Sequence, residues 1–368
     1  MNNTLFLPAW SIGPDVYNEV YEIVRPRGTK VAVIGGKTAM AKALPALTAA
    51  LAGTDLELSE PIWFGGEASY ENADMLAAMP VVQEADMIFA IGGGRAVDTC
   101  KMTADKLDKP LYTFPTLSSN CAGCTTIAIT YYPDGAMRDI FYPKRCPIHT
   151  FMNSTVIANS PEQYLWAGIG DSLAKEFESE FAARNDIANN DISHEGLMGC
   201  AIARCCTGPL TGYGAKALEQ IRNHEDGYEL QQAVLAIVIT AGLVSNMTSD
   251  PEHFYNSSMA HAFYDGCTVC PGAHKHLHGE LVSLGILVML TLDKQFERRD
   301  ALLPFYNSIK LPTTMDDVEL KVEDLDALYE LAHTTTEWAA SCYYPTKEEF
   351  IQAILDTDAA GKAYRATL

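Results

Sequence analysis

The chain has 368 residues, which is more than one hydrophobic core usually organises, so its length predicts two domains. Apolar residues make up 48% and charged residues 20% of the chain, as in ordinary globular proteins. The net charge is −21, because 47 acidic residues oppose 26 lysines and arginines. No basic stripe for a phosphate backbone is visible in the sequence, and the acidic balance argues against a nucleic-acid partner.

The N-terminal residues lack the basic segment and the sustained apolar run of a secretory signal peptide. No apolar run reaches the roughly 18–20 residues that cross a bilayer. The nearest, Ala233 to Val244, is predicted to be a buried core helix. We therefore expect a cytoplasmic protein without a membrane partner.

The ten cysteines include two Cys-x-x-Cys pairs, Cys121/Cys124 and Cys267/Cys270. Two such pairs can together hold a structural zinc ion, but here they lie far apart along the chain. We favour the interpretation that they are reduced thiols of a cytosolic protein.

The first part of the chain alternates short β-rich runs with helical patterns. The β-rich runs are residues 30–34, 62–64, 87–91 and 111–114, and the helical patterns are 38–51, 72–83 and the segment after Gly94. Such alternation predicts a Rossmann-like α/β domain, in which helices cover both faces of a parallel sheet. Residues 126–132 and 139–142, joined by a Pro133-Asp134-Gly135 turn, predict an inserted β-hairpin.

From about Pro161 the pattern becomes helical. Ser160-Pro161-Glu162 combines a serine cap, a proline at the first helical position and an acid in the first turn, which is typical of a helix start. Helices are predicted over residues 171–184, 194–206, 215–222, 227–246, 278–292, 322–336 and 347–358, and no strand pattern of comparable strength follows. The sequence therefore predicts an α/β domain over residues 1–160 and an all-helical domain over residues 161–368.

Three consecutive glycines, Gly92, Gly93 and Gly94, stand where a buried strand turns into a helix. Backbone without side chains can approach a pyrophosphate closely, and the helix N-terminus behind it supplies N–H donors. The next strand ends in a hydroxyl-rich loop, Pro115 to Ser119, at the kind of edge where open α/β sheets bind ligands. Glycines also collect in ordinary turns, so the order of strand, glycines and helix carries the prediction.

The order Gly-Gly-Gly-x-x-x-Asp-x-x-Lys, followed by Pro-Thr-x-x-Ser, resembles the cofactor segment of the iron-containing alcohol dehydrogenase superfamily. The resemblance implies a dehydroquinate synthase-like fold whose first domain binds NAD or NADP. It also implies that the dinucleotide site is lined by Gly94, Arg95, Asp98, Thr116, Ser119, Thr125, Ile127 and Tyr131.

The first strand departs from this pattern. NAD-preferring relatives carry an acid near its end, whereas here the strand ends in Gly35-Gly36-Lys37. Without that carboxylate the 2′-phosphate of NADP is not repelled, and Lys37 could attract it. Lys37 could equally be a solvated residue of a helix start, so the choice between NAD and NADP stays open.

Three further segments are ambiguous when each is taken alone. Asp171 follows Gly-Ile-Gly and, by pattern alone, is more readily a helix N-cap than a ligand. His261, in Ala-His-Ala, could be a packed or surface imidazole. The histidines at 274, 276 and 278 could belong to a solvated loop.

Together these segments resemble the metal site of glycerol dehydrogenase-like enzymes, which implies that Asp171, His261 and His278 are the ligands. One oxygen and two nitrogen donors leave a fourth tetrahedral position for a substrate oxygen, as in catalytic zinc sites. The iron-using branch has a further histidine one turn after the aspartate, where this chain has Lys175. We therefore expect Zn²⁺ rather than Fe²⁺.

The substrate is predicted from two departures. Glycerol dehydrogenases have an aspartate near the substrate hydroxyls where this chain has Cys121, which argues against glycerol. Lys175 is predicted on the same helical face as Asp171, where a cation could pair with a substrate carboxylate, or it could be a surface lysine. With His274 as a further candidate substrate residue, the leading hypothesis is the interconversion of a 2-oxo acid and a 2-hydroxy acid, as in the hydroxycarboxylate dehydrogenases of this branch.

Glycerol or another polyol is the alternative substrate. A dehydroquinate synthase-like lyase and a glycerol-1-phosphate dehydrogenase are disfavoured, because their phosphate-bearing substrates need several basic residues and this region offers few. A binding protein without catalysis would have lost part of its ligand set, which is intact here. Relatives form dimers or larger rings, so a homo-oligomer acting on a small molecule is expected.

Overall fold

The protein is described by a computed structural model covering residues 4–132, 135–250 and 252–368. Its strands are β1 (Ala9–Gly13), β2 (Lys30–Gly35), β3 (Glu57–Leu58), β4 (Ile62–Trp63), β5 (Met87–Gly92), β6 (Leu111–Pro115), β7 (Ala128–Tyr131), β8 (Met137–Phe141) and β9 (His149–Asn153). Its α-helices are α1 (Val20–Val24), α2 (Lys37–Ala50), α3 (Tyr70–Ala77), α4 (Pro80–Glu84), α5 (Gly94–Leu107), α6 (Ser154–Ala158), α7 (Glu162–Ala182), α8 (Arg184–Asn189), α9 (His194–Arg222), α10 (Tyr228–Val234), α11 (Ala241–Thr248), α12 (Met259–Cys267), α13 (His278–Leu292), α14 (Phe296–Ile309), α15 (Leu325–Ala332), α16 (Thr336–Ala339) and α17 (Lys347–Arg365).

Two compact units make up the chain. The first contains Met1–Leu165 and Glu219–Asn246, and the second contains Trp166–Leu218 and Met247–Leu368. The domain boundary near residue 160 stays a prediction. The segment Glu219–Asn246, which lies beyond that boundary, packs with the first unit.

The first unit is built on a seven-stranded sheet in the order β1-β9-β6-β5-β2-β3, with β4 also paired to β2. Every pairing in this sheet is parallel. Along β2, Val31 and Val33 pack with residues of α1 and α2, whereas Ala32 and Ile34 pack with residues of α3, α4 and α5. Alternate side chains therefore enter two separate cores, which confirms the predicted sheet with helices on both faces.

The inserted hairpin is confirmed as the antiparallel pair β7 and β8. Two residues of its predicted turn, Pro133 and Asp134, lie outside the described residues. The single helix predicted over 72–83 is instead divided, because α3 ends at Ala77 and Pro80 opens α4 at its first position.

Among the described residues, one helical stretch, Tyr228–Thr248, is long and apolar enough to span a bilayer by length and composition, and 67% of its most apolar window is buried. It is longer than the apolar run at Ala233 to Val244 on which the sequence expectation rested. Its middle, Leu235–Thr240, is a π-helical turn between α10 and α11. Burial to this extent is typical of a core helix.

The second unit is helical. Within its described residues the pairing of extended backbone is limited to one bridge, between Ser249 and Phe254. The helices predicted over 194–206 and 215–222 form one helix, α9, which continues through Pro209. Helix α7 starts at Glu162, directly after the predicted start signal, so Asp171 lies inside the helix and its interpretation as an N-cap is wrong.

Candidate functional site

The glycine segments meet at one edge of the first unit's sheet. Strands β6, β5 and β2 are neighbours, with Gly92 opposite Pro115 and Gly35 opposite Ile91. The Gly36 amide donates to the carbonyl of Ile91 at 3.2 Å. Because parallel strands end on the same side, the segments following β2, β5 and β6 are brought together. These segments hold the predicted cofactor residues Gly36, Lys37, Gly92, Gly93, Gly94, Arg95, Thr116 and Ser119.

The N-terminus of α5 has the features of an anion-binding site. Gly93 occupies its N-cap position without a side-chain cap, and the first turn contains no acidic residue. Gly92 has a φ of 149°, a conformation that favours glycine. A Cβ at Gly94 would lie 2.9 Å from the Asn120 amide nitrogen. The segment can therefore present backbone N–H groups at close range to a pyrophosphate.

A buried ion pair supports this edge. The Lys101 ammonium donates to Asp98 Oδ1 at 3.0 Å, to Thr125 Oγ1 at 2.8 Å and to the carbonyl of Ile127 at 2.6 Å. The other Asp98 oxygen accepts from the Ile129 amide at 3.3 Å. Burial raises the pKa of Asp98 against the attraction of Lys101. Three of the predicted cofactor residues, Asp98, Thr125 and Ile127, thus contact the same lysine.

Arg95, Tyr131 and Lys37 of the predicted cofactor set make cation–π or ion-pair contacts within the protein. The Arg95 guanidinium lies 5.5 Å from the Tyr131 ring centre, and its Nε lies 3.1 Å from Glu67 Oε1. The Lys37 ammonium lies 4.4 Å from the ring centre of Trp63. Sequence reasoning missed both Glu67 and Trp63, because neither belongs to a motif.

The ten cysteines are free thiols. The Cys124 thiol donates to the carbonyl of Val238 at 2.9 Å, and burial raises its pKa well above the usual range. Cys121 Sγ lies 3.7 Å from Ser245 Oγ. The Cys121/Cys124 pair belongs to the first unit and the Cys267/Cys270 pair to the second. No structural support appears among the described residues for a zinc site made from both pairs.

In the second unit, Asp171, His261 and His278 converge. One ligand atom from each lies within 4.8 Å of the others. Asp171 Oδ1 lies 3.5 Å from His261 Nε2 and 3.3 Å from His278 Nε2. The three residues come from α7, α12 and α13. Their role as metal ligands stays a prediction.

Glycines allow the three helices to approach this closely. A Cβ on Gly170 would clash with the carbonyl oxygen of Gly279, and a Cβ on Gly279 with that of Ala167. Likewise, a Cβ on Gly285 would clash with the carbonyl oxygen of Ala260. Gly170 and Gly279 are direct chain neighbours of Asp171 and His278, so the backbone contact between α7 and α13 sets the separation of these two side chains.

A fourth residue, Glu178, was missed by sequence reasoning. Its carboxylate is fully buried, and its Oε2 lies 2.6 Å from His261 Nδ1. Burial alone would lower the pKa of His261, but Glu178 and Asp171 raise it to about 10. The available signal was its spacing, since it follows Asp171 by seven residues on a helix and therefore shares its face.

The two predicted substrate residues of this unit lie in different surroundings. Lys175 is buried, and its ammonium donates to the backbone oxygen of Asn256 at 3.1 Å and to Asn256 Oδ1 at 2.7 Å. His274 is exposed, with Nδ1 3.2 Å from the carbonyl of Cys270. Among the described residues, the cluster of possible metal ligands does not include His274.

Comparisons with known proteins agree with this architecture. Residues 8–154 match the family model of iron-containing alcohol dehydrogenases. A glycerol dehydrogenase of Thermotoga maritima is 33% identical over 270 residues, which cover 72% of this chain and 71% of that protein. Hydroxycarboxylate dehydrogenase A of Escherichia coli is 28% identical over 336 residues, 90% of each chain. The structure of a glycerol dehydrogenase from Schizosaccharomyces pombe superimposes with a TM-score of 0.86 at 24% identity, covering 100% of this chain and 93% of that one.

The chain belongs to the iron-containing alcohol dehydrogenase family, on its glycerol dehydrogenase-like branch. It is therefore an oxidoreductase of a family of metal-binding, NAD(P)-linked dehydrogenases. The resemblance predicted from the glycine and histidine segments is confirmed, and so is the fold class.

Proposed function

We propose that this protein is a zinc-dependent, NAD(P)-linked dehydrogenase of a small neutral polyol, with glycerol as the first substrate to test. The observation that carries the proposal is the convergence of Asp171, His261 and His278 within 4.8 Å. The similarity to glycerol dehydrogenases from two bacteria supports the substrate class.

The donor set fits zinc. Ligands of a tetrahedral zinc ion with bonds of about 2.0–2.1 Å lie about 3.3–3.4 Å apart. The separations of Asp171 Oδ1 from the two imidazole nitrogens are 3.3 and 3.5 Å. One oxygen and two nitrogen donors suit Zn²⁺ and also accept Fe²⁺. We favour zinc, because the position at which the iron-using branch has a third histidine is held by Lys175.

The residues of the cluster have different tasks. Asp171 and His261 are largely buried and would anchor the ion, whereas the His278 side chain is 45% exposed and leaves one side open to a small substrate. A bound dinucleotide would supply the acceptor for a hydride from the carbinol carbon, and a divalent cation held by Asp171, His261 and His278 would supply positive charge for the developing alkoxide. The hydroxyl proton leaves to solvent, and the product is a ketone or an aldehyde.

The dinucleotide would be held at the glycine edge of the first unit. The uncapped N-terminus of α5 supports binding of the pyrophosphate, and Thr116 and Ser119 supply hydroxyl groups beside it. Lys37 is the first residue of α2, and its positive charge favours the 2′-phosphate of NADP. Its ammonium also makes a cation–π contact with Trp63, which gives the lysine a structural role that does not depend on the cofactor. Both NAD and NADP therefore belong in the assay.

A neutral substrate is favoured over a 2-oxo acid by the surroundings of Lys175. Its ammonium is buried and bonded to two oxygens of Asn256, so a substrate carboxylate would have to compete with these contacts. The second candidate, oxidation of a 2-hydroxy acid, is favoured by the similarity to hydroxycarboxylate dehydrogenase A, which extends over 90% of both chains.

A substrate panel tests the proposal. The zinc-loaded protein is assayed for oxidation of glycerol, small diols and 2-hydroxy acids with NAD+ and NADP+, and for reduction of 2-oxo acids with NADH and NADPH. Each assay is run with and without a chelator. We expect the highest kcat/KM for a neutral polyol, and its loss on chelation. A higher kcat/KM for a 2-hydroxy acid would select the second candidate. Turnover of a phosphorylated substrate without net cofactor reduction would instead indicate a dehydroquinate synthase-like lyase.

Cytoplasmic location, assembly into a homo-oligomer, and the absence of nucleic-acid and membrane partners stay predictions. They rest on the acidic composition and on the resemblance to the family. Sedimentation of the purified protein tests the predicted oligomer directly.

A further inference from the structure

Helix α7 has three buried ionisable side chains along one face. Asp171, Lys175 and Glu178 follow one another at intervals of four and three residues, the spacing that aligns side chains along a helix. Asp171 belongs to the ligand cluster, and Lys175 holds Asn256. Glu178 extends from the same face to His261, one turn further along the helix from Lys175.

Three donors surround the Glu178 carboxylate. Its Oε1 accepts from the Ser258 amide at 2.8 Å and from the His261 amide at 2.9 Å. Its Oε2 lies 2.6 Å from His261 Nδ1. Because an ionised carboxylate only accepts hydrogen bonds, Nδ1 must carry the hydrogen. Nε2 of the same ring lies 3.5 Å from Asp171 Oδ1. With Nδ1 engaged by Glu178, Nε2 is the nitrogen that can release its hydrogen and offer a lone pair to a metal ion.

The charge of Glu178 requires a positive partner. The side chain is fully buried, and in the described part of the chain its ion-pair contact is with His261, not with a lysine or an arginine. An uncompensated buried carboxylate is costly. A metal ion on Nε2 would take the place of the hydrogen there and keep a positive charge beside the carboxylate, and the carboxylate would in turn make the imidazole a stronger ligand.

We propose that Glu178 is a positioning residue of the metal site, which holds His261 in the Nδ1–H tautomer and directs Nε2 toward Asp171 and His278. The inference rests on the proposed function in that it takes the occupant of the cluster to be a divalent metal ion. Glu178 itself touches neither the substrate nor the reacting atoms.

The first test compares Glu178→Gln with Glu180→Gln. Both variants remove one negative charge from α7, but Glu180 is partly exposed and pairs with Arg204 and Arg298. Zinc affinity is measured on the purified full-length proteins by competition with a chromophoric chelator. We expect Glu178→Gln to lower the affinity about 10- to 100-fold, the range for outer partners of metal-bound histidines. Glu180→Gln should stay within about twofold of the wild type.

The outcomes separate this inference from the proposed function. A wild-type protein that binds zinc, with Glu178→Gln equal to it in affinity and in circular dichroism, overturns only the role of Glu178. A wild-type protein that takes up neither zinc nor iron overturns both.

A second measurement needs no variant and decides the matter if Glu178→Gln fails to fold. In zinc-loaded wild-type protein labelled with ¹⁵N-histidine, we expect His261 to show a protonated Nδ1 and a metal-shifted Nε2. A ring with the metal on Nδ1, or with the hydrogen on Nε2, would overturn the proposal.

Discussion

At the scale of single residues, Asp171 is central to the proposed metal site, because its Oδ1 lies near both imidazoles. Burial alone would raise the pKa of Asp171, but hydrogen bonds with His261 and His278 hold it far below its usual range. The carboxylate therefore stays ionised and able to bind a cation across the working pH range.

Replacing this charge should abolish metal binding. We expect Asp171→Asn to lower zinc affinity by more than about 100-fold, beyond the range for outer partners, because an amide oxygen carries no charge. Turnover should fall with it. Zinc per protein and kcat are measured together, with Asp326→Asn, an exposed aspartate of α15, as the control. Full zinc occupancy of Asp171→Asn would remove this residue from the ligand set.

The buried pair in the first unit leads to a stability prediction. Lys101→Met leaves Asp98 without its partner, so the free energy of unfolding should fall by about 3–5 kcal/mol. The exposed Lys106, paired with Asp74, offers a matched control, and Lys106→Met should cost less than about 1 kcal/mol. Urea unfolding measures both. Equal effects of the two substitutions would contradict the importance of the buried pair.

The sequence was sufficient to predict the residues that share a motif. Asp171, His261 and His278 were proposed as ligands because their chain neighbours form recognisable segments, and the structure places these side chains close together. Glu178, Glu67 and Trp63 were not, since their roles arise from contacts with residues distant along the chain. The burial of Lys175 could not be predicted either, because helical spacing tells only on which face of the helix a residue lies.

At the scale of elements, the close contact between α7 and α13 depends on glycines, which have no side chain. Gly279→Ala would force Cβ against the carbonyl oxygen of Ala167, so the two helices must separate. We expect lower zinc affinity and lower stability, since Asp171 and His278 move apart with their helices. Gly212→Ala is the control, because a Cβ there meets open space on α9 and should be neutral or stabilising by up to about 1 kcal/mol.

Chelator competition and urea unfolding measure the two effects of Gly279→Ala. Wild-type values for both would show that the backbone contact does not set the ligand spacing.

An acidic cap near the C-terminal helix makes stability depend on pH. Asp317 accepts from the Thr313 and Thr314 amides and pairs with Arg365 of α17. Partial burial opposes these contacts, but together they lower the pKa of Asp317 below its usual 3.8. Its stabilising contribution is therefore present above about pH 4 and lost as the pH falls through the lowered pKa.

Asp317→Asn should cost about 1–2 kcal/mol at neutral pH, as loss of a cap does, and less in acid. The neighbouring Asp316, exposed and paired with Lys362, is the control. Unfolding in urea at pH 7 and at pH 3 gives the comparison. A cost for Asp317→Asn that is the same at both pH values would contradict the lowered pKa.

Element boundaries followed from the sequence where a single signal dominated. Residues 278–292 form a helix with the predicted bounds, because a continuous apolar run ends in Asp293. Strands β1 and β9 were not predicted, since each is five residues long and mixes polar with apolar side chains. Such short segments become strands because they pair with neighbours in the sheet, and their local sequence preference alone does not specify a strand.

At the scale of the whole molecule, the ligand cluster links segments that are far apart in the chain. A metal ion that binds only the folded state stabilises it by mass action, by about 4 kcal/mol when its concentration exceeds the dissociation constant 1,000-fold. We expect the wild-type melting temperature to fall on chelation and to recover with zinc. Asp171→Asn should melt at the same temperature with and without zinc. An unchanged wild-type melting temperature would contradict binding at a site formed by folding.

Composition and the alternation of strands and helices were enough to predict the fold class, and the family comparison confirms it. The grouping of Glu219–Asn246 with the first unit was not predictable, because a helical segment carries no mark of the layer against which it packs.

The unequal exposure of the three proposed ligands leads to a kinetic prediction. Only His278 stands substantially in solvent, while Asp171 and His261 are shielded. A small chelating molecule would meet the ion from the His278 side and occupy the place of the substrate before it displaces any protein ligand. Inhibition by such a molecule should therefore be immediate and reversible by dilution, and extraction of the ion should follow slowly as a separate event.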